Sequence, residues 1–104
     1  MAIQSLYEIH SSDQWDWSAI GAFIDTETGM FRVSSDSGCS CNWPWDDEHY
    51  GAPLTMSAAI YEANRCGFSY EDDPVSLASK RQDMKRAIRE ADRAYKAGKR
   101  DFSQ

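Results

Sequence analysis

The sequence predicts an α+β fold: a small antiparallel sheet, made of a β-hairpin and an N-terminal strand, covered by two C-terminal helices. Three observations carry this. Apolar and polar residues alternate through much of the stretch from 3 to 35, a glycine-bearing turn cluster divides that stretch, and two apolar patterns of helical period follow residue 54. At 104 residues the chain suits one domain, spanning 1–104.

The first strand is expected in "SLYEIHSS", where Leu6, Tyr7 and Ile9 alternate loosely with polar neighbours. The hairpin is clearer. Trp15, Trp17, Ala19 and Gly21 interleave with Asp16, Ser18 and Ile20, and alternation resumes at Phe31 and Val33. Between these runs lies "DTETG", Asp25 to Gly29, with Gly29 free to take a positive φ. Residues 36–53 hold two Gly, two Pro and many short polar residues and read as a long loop, a length that often carries function. A helix is predicted over 55–66: Thr55 suits the N-cap, Met56, Ala59, Ile60 and Ala63 share one face, and Gly67 suits the C′ position. A second is predicted over 74–97. Asp73 precedes Pro74, a cap followed by proline at the first helical position. Leu77, Met84, Ile88, Ala91 and Tyr95 form one apolar stripe, and Gly98 ends it. Lys85, Arg86, Arg89, Arg93, Lys96 and Arg100 gather on a different sector as a basic ridge.

Composition narrows the function classes. Four Trp, five Tyr and four Phe argue against disorder. No apolar run approaches the roughly 20 residues that span a bilayer, so no membrane partner is expected. The N-terminus lacks the basic and apolar regions of a secretory signal, and three cysteines, an odd number, fit reduced thiols; a cytoplasmic location is the expectation. The net charge of −6 is unevenly divided. Residues 1–73 hold 13 acids against Arg32 and Arg65, a net −11, whereas 74–104 hold nine bases against four acids, a net +5. Either the halves attract each other within the fold, or one face meets a charged partner.

"SSDSGCSCNWPWDDEH", Ser34 to His49, holds the most chemistry. Cys39, Cys41, His49 and Cys66 are the residue types of a tetrahedral zinc site. Cys-Ser-Cys leaves one residue between the paired ligands, where structural zinc sites use two to four, so zinc is the alternative and no cofactor the expectation. A disulfide across that spacing would close a very small ring, and no thioredoxin-like pattern surrounds it. Nor is there a Walker or dinucleotide glycine loop, and a catalytic thiol would need a histidine base beside it. Recognition fits better. Trp43, Trp45 and Tyr50 beside Asp46, Asp47 and Glu48 have the makeup of a binding hot spot with a charged rim, stiffened by Pro44. The competing reading is that the tryptophans tuck beneath the loop and plug the sheet. The basic ridge, with Lys85, Arg89, Arg93 and Lys96, offers a second contact face. An acidic chain is repelled by nucleic acid at long range, so nucleic acid is not the expected partner. A further alternative is an acidic DNA mimic built from the carboxylates at 13, 16, 25, 27, 36, 46–48 and 71–73.

The run Asp36, Ser37, Gly38, Cys39, Ser40, Cys41, then Pro44, Trp45 and Asp46, resembles a family of small uncharacterised proteins encoded mainly by actinobacterial phages. Asn42 stands where that family more often has proline, and the likeness covers about a third of the chain. It implies no activity. It implies a setting, a phage accessory protein in the host cytoplasm. The function expected is therefore non-enzymatic binding of a host or defence protein.

Overall fold

A computed structural model describes residues 2–12, 15–39, 44–45, 50–66 and 74–103. Three strands, β1 (Ile3–Ser12), β2 (Asp16–Asp25) and β3 (Phe31–Cys39), form an antiparallel meander in the order β1-β2-β3. Helices α1 (Met56–Arg65) and α2 (Pro74–Lys96) follow. This is the expected α+β architecture.

The β2–β3 turn works as its residues dictate. Asp25 and Met30 close it through the Asp25 amide and the Met30 carbonyl, 2.8 Å. The Asp25 carboxylate accepts from the Glu27 amide at 2.9 Å, and Gly29 takes φ 76°. β3 runs four residues past the expected boundary. Asp36 to Cys39 carry no large apolar residue, which hid the strand, yet they pair with Asp16 to Ala19. β1 carries an irregularity between Ser5 and Tyr7, after which Tyr7, Ile9 and Ser11 share a face with Ala22, Ile20 and Ser18.

That face meets the helices. Ile9, Ile20, Ala22, Ile24, Phe31 and Val33 pack with Ala59, Ala63, Met84, Ile88, Ala91 and Phe102 in one core. Alanines at the helical contact positions let both helices lie close to the sheet. α1 starts at Thr55, whose hydroxyl accepts from the Ala58 amide. Its C-terminal end is held by Arg81 of α2, which donates to the Ala63 and Cys66 carbonyls, each at 2.8 Å. A guanidinium there satisfies carbonyls that the helix leaves open and sits at the negative end of its dipole. α2 closes on a Schellman motif. Gly98 has φ 106°, its amide donates to the Tyr95 carbonyl, and the Lys99 amide donates to the Ala94 carbonyl. The expected apolar stripe is the buried one: Met84, Ile88 and Ala91 are enclosed, with Leu77 and Tyr95 at its margins. The predicted caps Asp73 and Gly67 lie outside the described residues.

Tyr95 joins the last helix to the hairpin turn. Its hydroxyl donates to the Thr26 carbonyl at 3.0 Å, and its ring lies where a side chain on Gly29 would begin, 2.6 Å from a Cβ there. Gly29→Ala therefore meets both a left-handed backbone and an aromatic ring. It is expected to cost about 1–3 kcal/mol, read as a lower urea midpoint at unchanged slope.

Candidate functional site

The sheet has a second face, and β2 is buried on both. Trp17, Ala19, Gly21 and Phe23 point away from the helices, and Ala19, Gly21 and Phe23 are buried. Trp45 covers them. It is 6% exposed and packs edge-on against Phe23, with centroids 5.0 Å apart, while His10 of β1 meets the same indole at 6.2 Å. Gly21 makes the seat: a Cβ there would lie 2.7 Å from both the Trp45 and the Phe23 rings. β3 supplies the anchors. The Asp36 carboxylate accepts from the Trp45 amide at 2.8 Å, and Ser34 accepts from the indole N–H at 3.2 Å. These bonds hold Trp45 at φ 59°, a backbone region that an aromatic residue rarely occupies. Tyr50 extends the cover onto Phe23, 4.8 Å between centroids, and Arg32 donates to the Gly51 carbonyl at 2.8 Å.

This corrects the expected contact surface. Trp45 is a core residue and not an exposed hot spot, because the apolar centre of β2 needs a lid on the side without helices. Tyr50 is half-buried in the same cluster. Trp43, Asp46, Asp47 and Glu48 lie outside the described residues. Of the carboxylates considered as a phosphate mimic, Asp36 is engaged by the Trp45 and Ser37 amides and Asp25 by the turn, while Asp16 and Glu27 are exposed. Those at 13, 46–48 and 71–73 are not described.

For the cysteine set, only part can be placed. Cys41 and His49 lie outside the described residues, and Cys39 ends β3. Cys66 caps α1, half-buried, with Ser35 as its hydrogen-bonding neighbour. Ser35 and Cys39 are four residues apart on one strand, about 13 Å. Cys66 therefore sits far from the strand end where Cys39 begins the Cys-Ser-Cys run. Among the described residues no three His, Cys, Asp or Glu stand together as metal ligands.

The basic ridge takes a narrower form than expected. Arg86, Arg89, Arg93 and Lys96 are exposed and recur at spacings of three, four and three, so they share one stripe about 15 Å long. It lies roughly 150° around the helix from the buried stripe. Lys85 does not belong to it. It is 9% exposed, on the flank between Met84 and the ridge, where a long apolar stem lies along the protein surface. Arg100 is also drawn off: its guanidinium stacks on Tyr95 at 3.8 Å and donates to the Tyr95 carbonyl. Both ends of the stripe have acidic neighbours, Asp83 at 3.3 Å from Arg86 and Asp92 at 2.9 Å from Lys96. Asp83 also accepts from Tyr7 and, with burial the larger cause, raises that phenol above its ordinary value.

The architecture defines a small α+β domain, a three-stranded meander with two helices on one face and an aromatic lid on the other. The chain belongs to the family described as "Domain of unknown function (DUF7574)", which matches residues 2–98. Comparisons with curated proteins and with solved structures gave no match. No helix among the described residues is long and apolar enough to cross a membrane.

Two expectations follow. Trp45→Ala should lower stability by about 3–5 kcal/mol, the cost of emptying an aromatic core site, measured by denaturant titration; an unchanged midpoint would place Trp45 outside the core. The second concerns Cys66. Burial raises its thiol above the ordinary 9.0, with the Ser35 hydrogen bond opposing. The folded chain thus holds this proton after the unfolded chain has released it. Its contribution to stability is complete below pH 9.0 and is lost as the pH rises through the folded value. Cys66→Ala should flatten the alkaline limb of a stability–pH curve; an identical limb in both proteins would refute the assignment.

Proposed function

We propose that the protein is a non-enzymatic binding module that docks on an acidic protein surface through Arg86, Arg89, Arg93 and Lys96. The supporting observation is the stripe itself: four exposed cations on one line of α2, in a chain of net charge −6. Cations in one line on a rigid helix give a partner of opposite charge both attraction and register. The acidic body of the same chain repels nucleic acid, which is charged along its whole length, more than a confined acidic patch that faces the stripe alone, which favours a protein partner. The resemblance to phage proteins adds the setting, an accessory protein acting without a cofactor on a host or defence protein in the host cytoplasm. Trp43, Asp46, Asp47 and Glu48 form a separate proposed contact of opposite charge, without Trp45.

Fluorescently labelled poly-glutamate and duplex DNA of matched charge are suitable probes, compared by anisotropy at low and physiological salt. Poly-glutamate should bind more tightly than DNA. Arg89→Glu with Arg93→Glu should weaken that binding by about tenfold, or ~1.4 kcal/mol, with the melting temperature unchanged. Tighter binding of DNA, or indifference to the double substitution, would overturn the reading.

A further inference from the structure

The outer edge of β1 has no strand beside it among the described residues. The outer edge of β3 is treated differently. Leu54 bridges Phe31 there through two backbone hydrogen bonds of 2.7 and 2.8 Å, and α1 packs against the strand. Of the devices that usually protect an edge, β1 has an irregularity confined to Ser5–Tyr7 and the acid Glu8, while its ten residues, "IQSLYEIHSS", contain no lysine and no proline. The C-terminal segment runs by its first half, where the Phe102 amide donates to the Gln4 side chain and Ser103 shares a cleft with residues 4–8.

We infer that the open edge of β1 pairs with β1 of a second copy of this chain, antiparallel about a two-fold axis through Ile9. Glu8 and His10 select this register. β1 carries one acid and one potential cation, Glu8 and His10, two residues apart on one face and 3.0 Å from each other. A two-fold axis at Ile9 sets Glu8 opposite His10 of the second copy and His10 opposite its Glu8. A carboxylate facing an imidazole across strands can accept its N–H, whereas two carboxylates facing each other oppose a pair. Shifting the axis to residue 8 or residue 10 would instead set Glu8 against Glu8 or His10 against His10.

The same operation brings two other exposed features together. Residue 12 of one copy falls opposite Leu6 of the other, so the tip of the first hairpin points along the start of β1. Trp15 stands just past that tip, 66% exposed. At the start of β1, Gln4, Ser5, Leu6, Tyr7, Glu8 and Ser103 line an open cleft of about 590 Å³. The strand pairing thus carries an exposed tryptophan of each copy towards a cleft of the other. A closed two-fold contact of this kind repeats every interaction twice and joins the two sheets into one of six strands.

This inference does not depend on the acidic-partner reading, which concerns α2 alone. Sedimentation velocity over a concentration series tests it directly. The wild-type chain should be a dimer. His10→Glu places acids opposite each other, and Glu8→Lys removes the acceptor that faces His10 and sets a lysine there. Each variant alone should raise the dimer dissociation constant at least about tenfold, with unchanged circular dichroism. Mixed in equal amounts they should form a heterodimer. The lysine introduced in one chain then faces the glutamate introduced in the other, and the remaining native Glu8 faces the remaining native His10. A change confined to one chain's fold cannot produce that rescue. If either variant fails to fold, Trp15→Ser replaces it and should weaken the dimer with the melting temperature intact. A wild-type monomer at all concentrations would overturn the inference. So would a mixture that stays monomeric, or a dimer indifferent to Trp15.

Discussion

The structure depends on β2 being buried on both faces. A central strand whose residues from Ser18 to Ile24 are all enclosed needs two covers, and the described residues form two helices. Both go to the side of Ile20, Ala22 and Ile24. The opposite side is closed by the Trp45 indole lowered onto Gly21 and Phe23, with Tyr50 beside it. The described contacts of Trp45 serve that placement. The missing Cβ at Gly21 makes room for the ring, and Asp36 and Ser34 of β3 satisfy its two N–H groups. In this setting Asp36 and Gly21 act as structural residues as much as any leucine of the core. Without the lid, Ala19, Gly21 and Phe23 would face water as an apolar stripe in the middle of a narrow sheet.

The helical side solves a different problem. α2 is long and highly charged, and its apolar stripe is narrow, so hydrophobic contact alone gives it little orientation. Polar bonds at its two ends supply the rest. Arg81 grips the carbonyls at the end of α1, and Tyr95 grips the carbonyl of Thr26 in the hairpin turn. These contacts join residues far apart in the chain and set α2 against both its neighbours. Its cations then divide by position. Arg81 is engaged with backbone carbonyls, as is Arg100 just beyond the helix, Lys80 is half-buried, Lys85 lies along the protein, and Arg86, Arg89, Arg93 and Lys96 face outward as a line.

What could be read in the sequence was whatever is decided locally. Alternation marked the strands, Gly29 and Gly98 marked a turn and a helix end, and Thr55 marked a helix start, because each residue's own φ or side chain sets the outcome. The apolar stripe of α2 was legible for the same reason: helical period alone fixes which residues share a face. The end of β3 was not. Asp36 to Cys39 belong to a strand through pairing with β2, and nothing in their own side chains announces it. Trp45 was not legible either. A tryptophan beside proline and acids has the same local signature whether it faces a partner or folds back onto a glycine 24 positions earlier. Lys85 failed for a related reason, since a helical wheel gives an angle but not the width of the surface that the helix meets.

The placement of Trp45 changes what the domain can use for binding. An aromatic residue that closes a core cannot also anchor a partner without opening that core, a cost of several kcal/mol against a marginal total stability. Binding by the described surface must therefore draw on other resources. Two are available, and they differ in kind. The line of cations on α2 offers long-range attraction that weakens with salt and tolerates some variety in the partner. The edge of β1 offers short-range backbone pairing that is strict about register. Each lies on a different element, and the β1 edge meets the lid through His10, whose ring packs edge-on to Trp45. The two surfaces can therefore be engaged together, so that one copy's contact with a partner need not compete with its contact with another copy. Pairing through β1 would then present two basic stripes in one particle, and two weak charged contacts held at fixed spacing bind far more tightly than either alone.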